Sequence, residues 1–320
     1  TRRQRQMCIR DRSILVSLTM NINPEILSQI KGLELKAKKI IEGFIAGLHK
    51  SPYHGFSVEF AEHRPYNTGD DFKHIDWKVY AKKERFYVKQ YEEETNLRCF
   101  LVLDTSSSMY FKHKAQWTKL EYSAYLAAAM AYLMQGQRDA VGFASFADTL
   151  RTILPAKGTR RHLRRIFLEI EPYLTINKGD FTASAAALHE LAERIHQRSL
   201  VVIFTDLFEN IETHDALISA LKHLRHRKHE IILFNITEHY TELNLNLEHE
   251  RYLLEDLESG EQLEISPAQI AQDYRAKVTM YLQRFKQACN EFQIDFESVS
   301  TEQPFSEALI HYLKKRSRLG

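Results

Sequence analysis

The stretch best equipped for chemistry is Asp104-Thr105-Ser106-Ser107-Ser108. It sets one carboxylate and two hydroxyls at alternate positions, the pattern D-x-S-x-S, directly after the apolar run Cys99-Phe100-Leu101-Val102-Leu103. Such a run reads as a strand buried on both faces of a parallel sheet. Ligands of open α/β sheets bind at the carboxyl ends of the strands. Asp104, Ser106 and Ser108 can therefore converge on a hard cation, and an oxygen-only donor set suits Mg²⁺ or Mn²⁺. One carboxylate carries too little charge to complete a shell, which leaves positions for water and for a partner's carboxylate. The pattern is common, however, and Ser or Asp after a strand also serves as a helix cap.

Two other loops add to it. Thr182 precedes an Ala-rich segment, and Asp206 follows a second buried run, Leu200 to Phe204. They supply a second-loop hydroxyl and a third-loop carboxylate at the same sheet edge. Asp206 has an alternative role as a cap for the helix that follows it.

The elements that must position these residues alternate. After the first buried strand the pattern predicts a helix at about 118–135. Strands Ala140 to Phe146 and Leu150 to Leu154 follow, joined by a turn at Ala147-Asp148. Helices are expected at about 158–170 and 182–197, then the strand Leu200 to Phe204, a helix at 213–227 and the strand Glu230 to Ile236. Alternating strands and helices specify an α/β layered sheet with crossover connections. Beyond it the sequence predicts a hairpin around 251–263 turning at Ser259-Gly260. A long helix at 267–290, a strand from Ile294 to Val299 and a last helix at 305–315 complete the chain. Ahead of the sheet, Asn23-Pro24-Glu25 marks a helix start, and apolar residues recur at helical spacing from Ile26 to Leu48. Residues 51–95 are polar and aromatic, punctuated by Gly55, Pro65 and Gly69, and read as short strands and ordered turns.

Asp104, Ser106, Ser108, Thr182 and Asp206 together resemble the metal-ion-dependent adhesion site of von Willebrand factor A domains. The resemblance implies that the two serines and the threonine contact the metal and that the aspartates act directly or through water. It also implies a three-layer von Willebrand A-like, Rossmann-like α/β fold. The segment 51–95 sharpens the match. Ser51-Pro52, Gly55, Glu59-Phe60-Ala61-Glu62, Arg64-Pro65-Tyr66, Gly69-Asp70-Asp71, Ile75-Asp76-Trp77 and Ala81 closely resemble the signature of the bacterial domain-of-unknown-function family 58. The resemblance runs from about residue 30 to 316. It implies a non-enzymatic, metal-dependent protein–protein interaction module that works with a MoxR-type AAA+ ATPase. Within the signature, Asp70, Asp71 and Asp76 with Arg64, Lys73 and Lys78 are expected to form a structural ion network; a docking surface is the functional alternative.

Other chemistries fit less well. A haloacid-dehalogenase-type phosphatase needs a second carboxylate two residues after its nucleophilic Asp, where this chain has Ser106. A metal-dependent nuclease built on Asp70 or Asp71 with Asp76-Trp77-Lys78 lacks the required separation. A metal-dependent hydrolase with an unrecognised site is the competing class. His223, His226 and His229 invite a zinc reading, but the basic residues around them fit a helix C-terminus. Cys99 lies inside the apolar strand and reads as core.

Composition sets the frame. The 320 residues are 44% hydrophobic and 27% charged, an ordinary globular balance. The formal charge of +2 owes to the first twelve residues; without them 39 Lys and Arg face 41 Asp and Glu. Nothing global points to nucleic acid. Three scattered cysteines fit a reducing compartment. The expected organisation is a leader at 1–20, foreign to the fold and with Met20 as the natural start, and then a helix plus signature segment at 21–95. The A-like domain follows at 96–240, with a C-terminal extension at 241–320. No apolar stretch reaches membrane-spanning length, and a cytoplasmic location is expected.

Overall fold

The computed structural model describes Leu27 and residues 30–49, 63–65, 87–89, 97–175, 184–196, 198–207, 214–255 and 260–319. The leader, most of the 51–95 signature with its expected ion network, and Thr182 lie outside the described residues.

Six strands form the central sheet. In chain order they are β3 (Arg98–Asp104), β4 (Ala140–Phe146), β5 (Leu150–Lys157), β6 (Leu200–Thr205), β7 (Glu230–Thr237) and β10 (Asp295–Ser300). Their order across the sheet is β10-β7-β6-β3-β4-β5, and every pairing is parallel except that of β5 with β4. Two short antiparallel pairs stand outside it. One is β1 (His63–Pro65) with β2 (Tyr87–Lys89), and the other is β8 (Tyr252–Glu255) with β9 (Gln262–Ile265). The helices are α1 (Leu33–His49), α2 (Lys119–Gly136), α3 (Arg160–Ile170), α4 (Ser184–Arg194), α5 (His214–His226), α6 (Pro267–Glu291) and α7 (Phe305–Leu319). This is the three-layer α/β architecture that the alternation predicts.

Burial follows strand periodicity. Leu101, Leu103, Val202 and Phe204 face one layer with α1, α2 and α7, while Phe100, Val102, Val201 and Ile203 face the other with α4, α5 and α6. Each large side chain removed from water contributes roughly 1.5–3 kcal/mol. α2 is apolar nearly all round and buried over most of its length, as a helix enclosed between other layers must be. Its start is fixed by a capping box: Glu121 N–H donates to Thr118 Oγ1 at 3.0 Å and Thr118 N–H to Glu121 Oε2 at 2.8 Å. Gly142 on β4 admits the Phe100 ring; a Cβ there would stand 2.5 Å from its Cε1.

One boundary differs from expectation, and one expected helical run is interrupted. β5 continues past Leu154 to Lys157, which pairs with Val141, because an edge strand accommodates Pro155 without losing a ladder bond. Gly32, at a left-handed φ of +86°, interrupts the expected helical run: Leu27 is helical ahead of it, the helix Leu33–His49 follows it, and the expected start at Asn23-Pro24 lies outside the described residues.

Candidate functional site

The strand order reverses between β3 and β6. The chain leaves β3 toward β4 and β5, then returns to lay β6 and β7 on the opposite side. In open α/β sheets such a switch point is where ligands bind, at the carboxyl ends of the two strands. Asp104 ends β3 there, and Thr205 with Asp206 ends β6.

Asp104 is 1% exposed. Its Oδ1 accepts the Ser106 N–H at 2.9 Å and its Oδ2 the Thr205 hydroxyl at 2.6 Å. Burial, reinforced by the nearby Asp206 carboxylate, pushes its pKa up to about 7 against the pull of those hydrogen bonds. Thr105 anchors the loop to β4, its N–H and hydroxyl both donating to the Phe146 carbonyl at 2.8 Å. With the loop so held, the Ser106 and Ser108 hydroxyl oxygens lie 3.1 Å apart. Adjacent ligands of an octahedral Mg²⁺ at about 2.1 Å stand about 3 Å from each other. The donor set and its spacing therefore fit a hard divalent cation. The structure brings Asp104, Ser106 and Ser108 into one loop and places Asp206 on the neighbouring strand end. Ser184, two residues beyond Thr182, starts α4 and is buried. Between Asp206 and the helix His214–His226 lie residues 208–213, outside the described residues.

Three further charged residues belong to this edge, and sequence reasoning missed them. Lys119, the first residue of α2, is 1% exposed and reaches Asp206 Oδ2 at 2.6 Å and Glu242 Oε1 at 2.5 Å. Burial alone would lower its pKa, but Asp206 and Glu242 overcome that and hold the ammonium above its ordinary range. Glu242 sits in a π turn, His239–Leu243, directly after β7. Glu238, at the start of that turn, is buried and accepts the backbone N–H groups of His113, Lys114 and Ala115 at 3.1, 2.6 and 2.5 Å, and the Thr241 hydroxyl. Burial would raise its pKa, yet these donors keep it below the usual carboxylate range. The turn thus ties the end of β7 to the segment that links the Asp104 loop to α2. One signal was legible: an ammonium at a helix N-terminus opposes the macrodipole and calls for nearby anions.

The histidines do not converge. His223 hydrogen-bonds His189, Nδ1 to Nδ1 at 3.0 Å, and pairs with Glu193 through Nε2 at 2.9 Å. His229 is buried and accepts the Ser199 N–H, while His226 is exposed. Among the described residues no group of three His, Cys, Asp or Glu side chains forms a metal cluster, and no helix is long and apolar enough to cross a membrane. Cys99 is fully buried in β3.

Comparison with known proteins supplies the family. Curated relatives include the proteins named "Uncharacterized protein Rv1480" from Mycobacterium tuberculosis and "Uncharacterized protein Mb1516" from Mycobacterium bovis. Each is 28% identical over 184 residues, 58% of this chain and 58% of the relative. The match thus spans less than two thirds of those proteins. Similar solved structures include BatB from Bacteroides thetaiotaomicron, at 15% identity, TM-score 0.42, and 69% of this chain against 99% of that one. An aerotolerance-related membrane protein from Bacteroides fragilis aligns at 17% identity and TM-score 0.44, over 68% and 99% of the two chains. The SpRpn10 VWA domain aligns at 14% identity and TM-score 0.37, over 67% and 94%. The model of the family described as "Protein of unknown function DUF58" matches residues 62–283, more than half of the chain, and the protein belongs to that family.

Proposed function

We propose that the protein is a metal-dependent protein-interaction module with a von Willebrand A-like site, docking through the carboxyl edge of its sheet. The observation that carries this reading is the Asp104 loop at the switch point, with the Ser106 and Ser108 hydroxyls 3.1 Å apart beside a buried carboxylate. Asp104, Ser106 and Ser108 would hold a Mg²⁺ or Mn²⁺, with Thr182 and Asp206 as the further residues of the set. When bound, the ion supplies an open coordination position for an acidic side chain of a partner. Thr205 and the Ser106 N–H orient the Asp104 carboxylate, and Thr105 fixes the loop on β4. The partner class is a MoxR-type AAA+ ATPase, as the family resemblance implies, and the setting is cytoplasmic. The role is binding and not catalysis: Ser106 stands where an aspartyl phosphatase needs its general acid.

The test is calorimetric titration of the full chain with a purified MoxR-type ATPase. Binding is expected in Mg²⁺, with loss in EDTA and at least about a tenfold loss in Asp104→Ala at unchanged circular dichroism. Binding that persists undiminished in EDTA would remove the metal bridge.

A further inference from the structure

Three carboxylates, Asp104, Asp206 and Glu242, lie along this edge, and Asp206 is near enough to act electrostatically on each of the other two. They come from the end of β3, the end of β6 and the turn after β7. Left together without compensation, buried carboxylates are costly. The ammonium of Lys119 lies between two of them, 2.6 Å from Asp206 and 2.5 Å from Glu242, with the Phe111 ring centroid 5.5 Å away. Asp104 is turned elsewhere, toward Thr205 and the Ser106 N–H.

We propose that Lys119 is a tethered cation that takes possession of Asp206 and limits the edge to a single divalent ion, held by Asp104, Ser106 and Ser108. For that ion the inference rests on the metal reading above; for Lys119 it rests on the contacts alone. An ammonium supplies one positive charge and three donors on a stem anchored in α2. It satisfies Asp206 directly, so this carboxylate faces a bound ion through water and not as a direct ligand. One ammonium and one divalent ion together neutralise the three carboxylates. Lys119 therefore sets both the number of ions and their affinity. Removing its charge returns Asp206 to the site.

The experiment titrates the full chain with Mn²⁺ and follows the free ion by electron paramagnetic resonance. It compares the unaltered protein, Lys119→Met, and the double variant Lys119→Met/Glu242→Gln. The double variant removes one charge of each sign and so leaves the net charge of the buried group unchanged; circular dichroism reports which samples are folded. The unaltered protein should bind one Mn²⁺. A second ion, or binding about tenfold tighter or more, is expected once the ammonium is gone. An unchanged count and affinity in the folded variants overturns the role of Lys119 and leaves the metal reading intact. If the unaltered protein binds no Mn²⁺ but the double variant does, the metal reading falls and Lys119 stands as the cation that excludes it. Absence of binding in every sample overturns both.

Discussion

The two edges of the central sheet are built on different physics. At the amino edge, three helices pass into strands by the same local device. Arg138 after α2, Lys228 after α5 and Gln293 after α6 take left-handed φ values of 62°, 67° and 56°. In each case the next N–H returns to a carbonyl of the last helical turn: Asp139 to Met134 at 3.0 Å, His229 to Leu224 at 3.2 Å and Ile294 to Cys289 at 2.9 Å. These are Schellman-type caps, written in backbone geometry within a few residues of chain. The carboxyl edge is assembled from charges far apart in sequence: Lys119 meets Asp206 across 87 residues and Glu242 across 123. One edge is a repeated closure. The other accumulates buried charge where a ligand would sit, an arrangement typical of sites maintained for function and not for stability.

The largest effect expected of this contrast lies at Glu238. Glu238→Ala leaves three backbone N–H groups of the 113–115 segment without their acceptor and should cost about 2–3 kcal/mol in urea unfolding. The sign of its pH dependence follows from its lowered pKa. The folded state binds this proton less readily than the unfolded chain. The stabilisation is therefore complete above the ordinary glutamate pKa of about 4.3 and disappears as pH falls through the lower folded value. An acid-unfolding profile of Glu238→Gln should accordingly lose part of the slope seen below pH 4.3 or so. An unaltered profile would mean that the turn after β7 does not hold the 113–115 segment.

A smaller and more diagnostic effect belongs to Asp104→Asn. Burial and the neighbouring Asp206 already disfavour the charged carboxyl, and an amide can keep hydrogen bonds to Ser106 and Thr205. Stability should stay within about 1 kcal/mol of the parent or rise, while Mn²⁺ binding is lost. A large destabilisation would place Asp104 among the structural groups and erase the difference between the edges. The smallest effect is at the amino edge. Lys228→Gly relieves the left-handed strain but frees the unfolded chain, and the balance should be a gain of about 0.5 kcal/mol, read as a rise in the urea midpoint. A loss there would show that the caps rest on side-chain contacts and not on backbone conformation.

How much was legible in the sequence varied with the range of the interaction. β4, from Ala140 to Phe146, falls where the apolar pattern puts it, because a strand enclosed by two layers leaves no other position for a run of apolar side chains. α2 is equally plain: the pattern puts a helix at about 118–135, and it forms at Lys119–Gly136. Pro155 and Gly32 act differently: an edge strand accepted the proline and ran on to Lys157, while one left-handed glycine separates helical Leu27 from the helix Leu33–His49. Of the candidate site, Asp104, Ser106 and Ser108 were readable because one loop carries all three. Asp206 was placed at the correct edge by the end of its strand alone.

The sequence by itself determined the layers, the buried strands and the loop bearing the D-x-S-x-S pattern, since each follows from local periodicity or from neighbours a few residues apart. Only the tertiary structure decided that Asp206 is shared with a lysine and that Glu242 completes that pair. It also decided that Glu238 closes on the segment leading out of the Asp104 loop. The physical reason is the same in each case. Opposite charges separated by about a hundred residues leave no pattern in the chain, and they find one another only after the strands that carry them lie side by side.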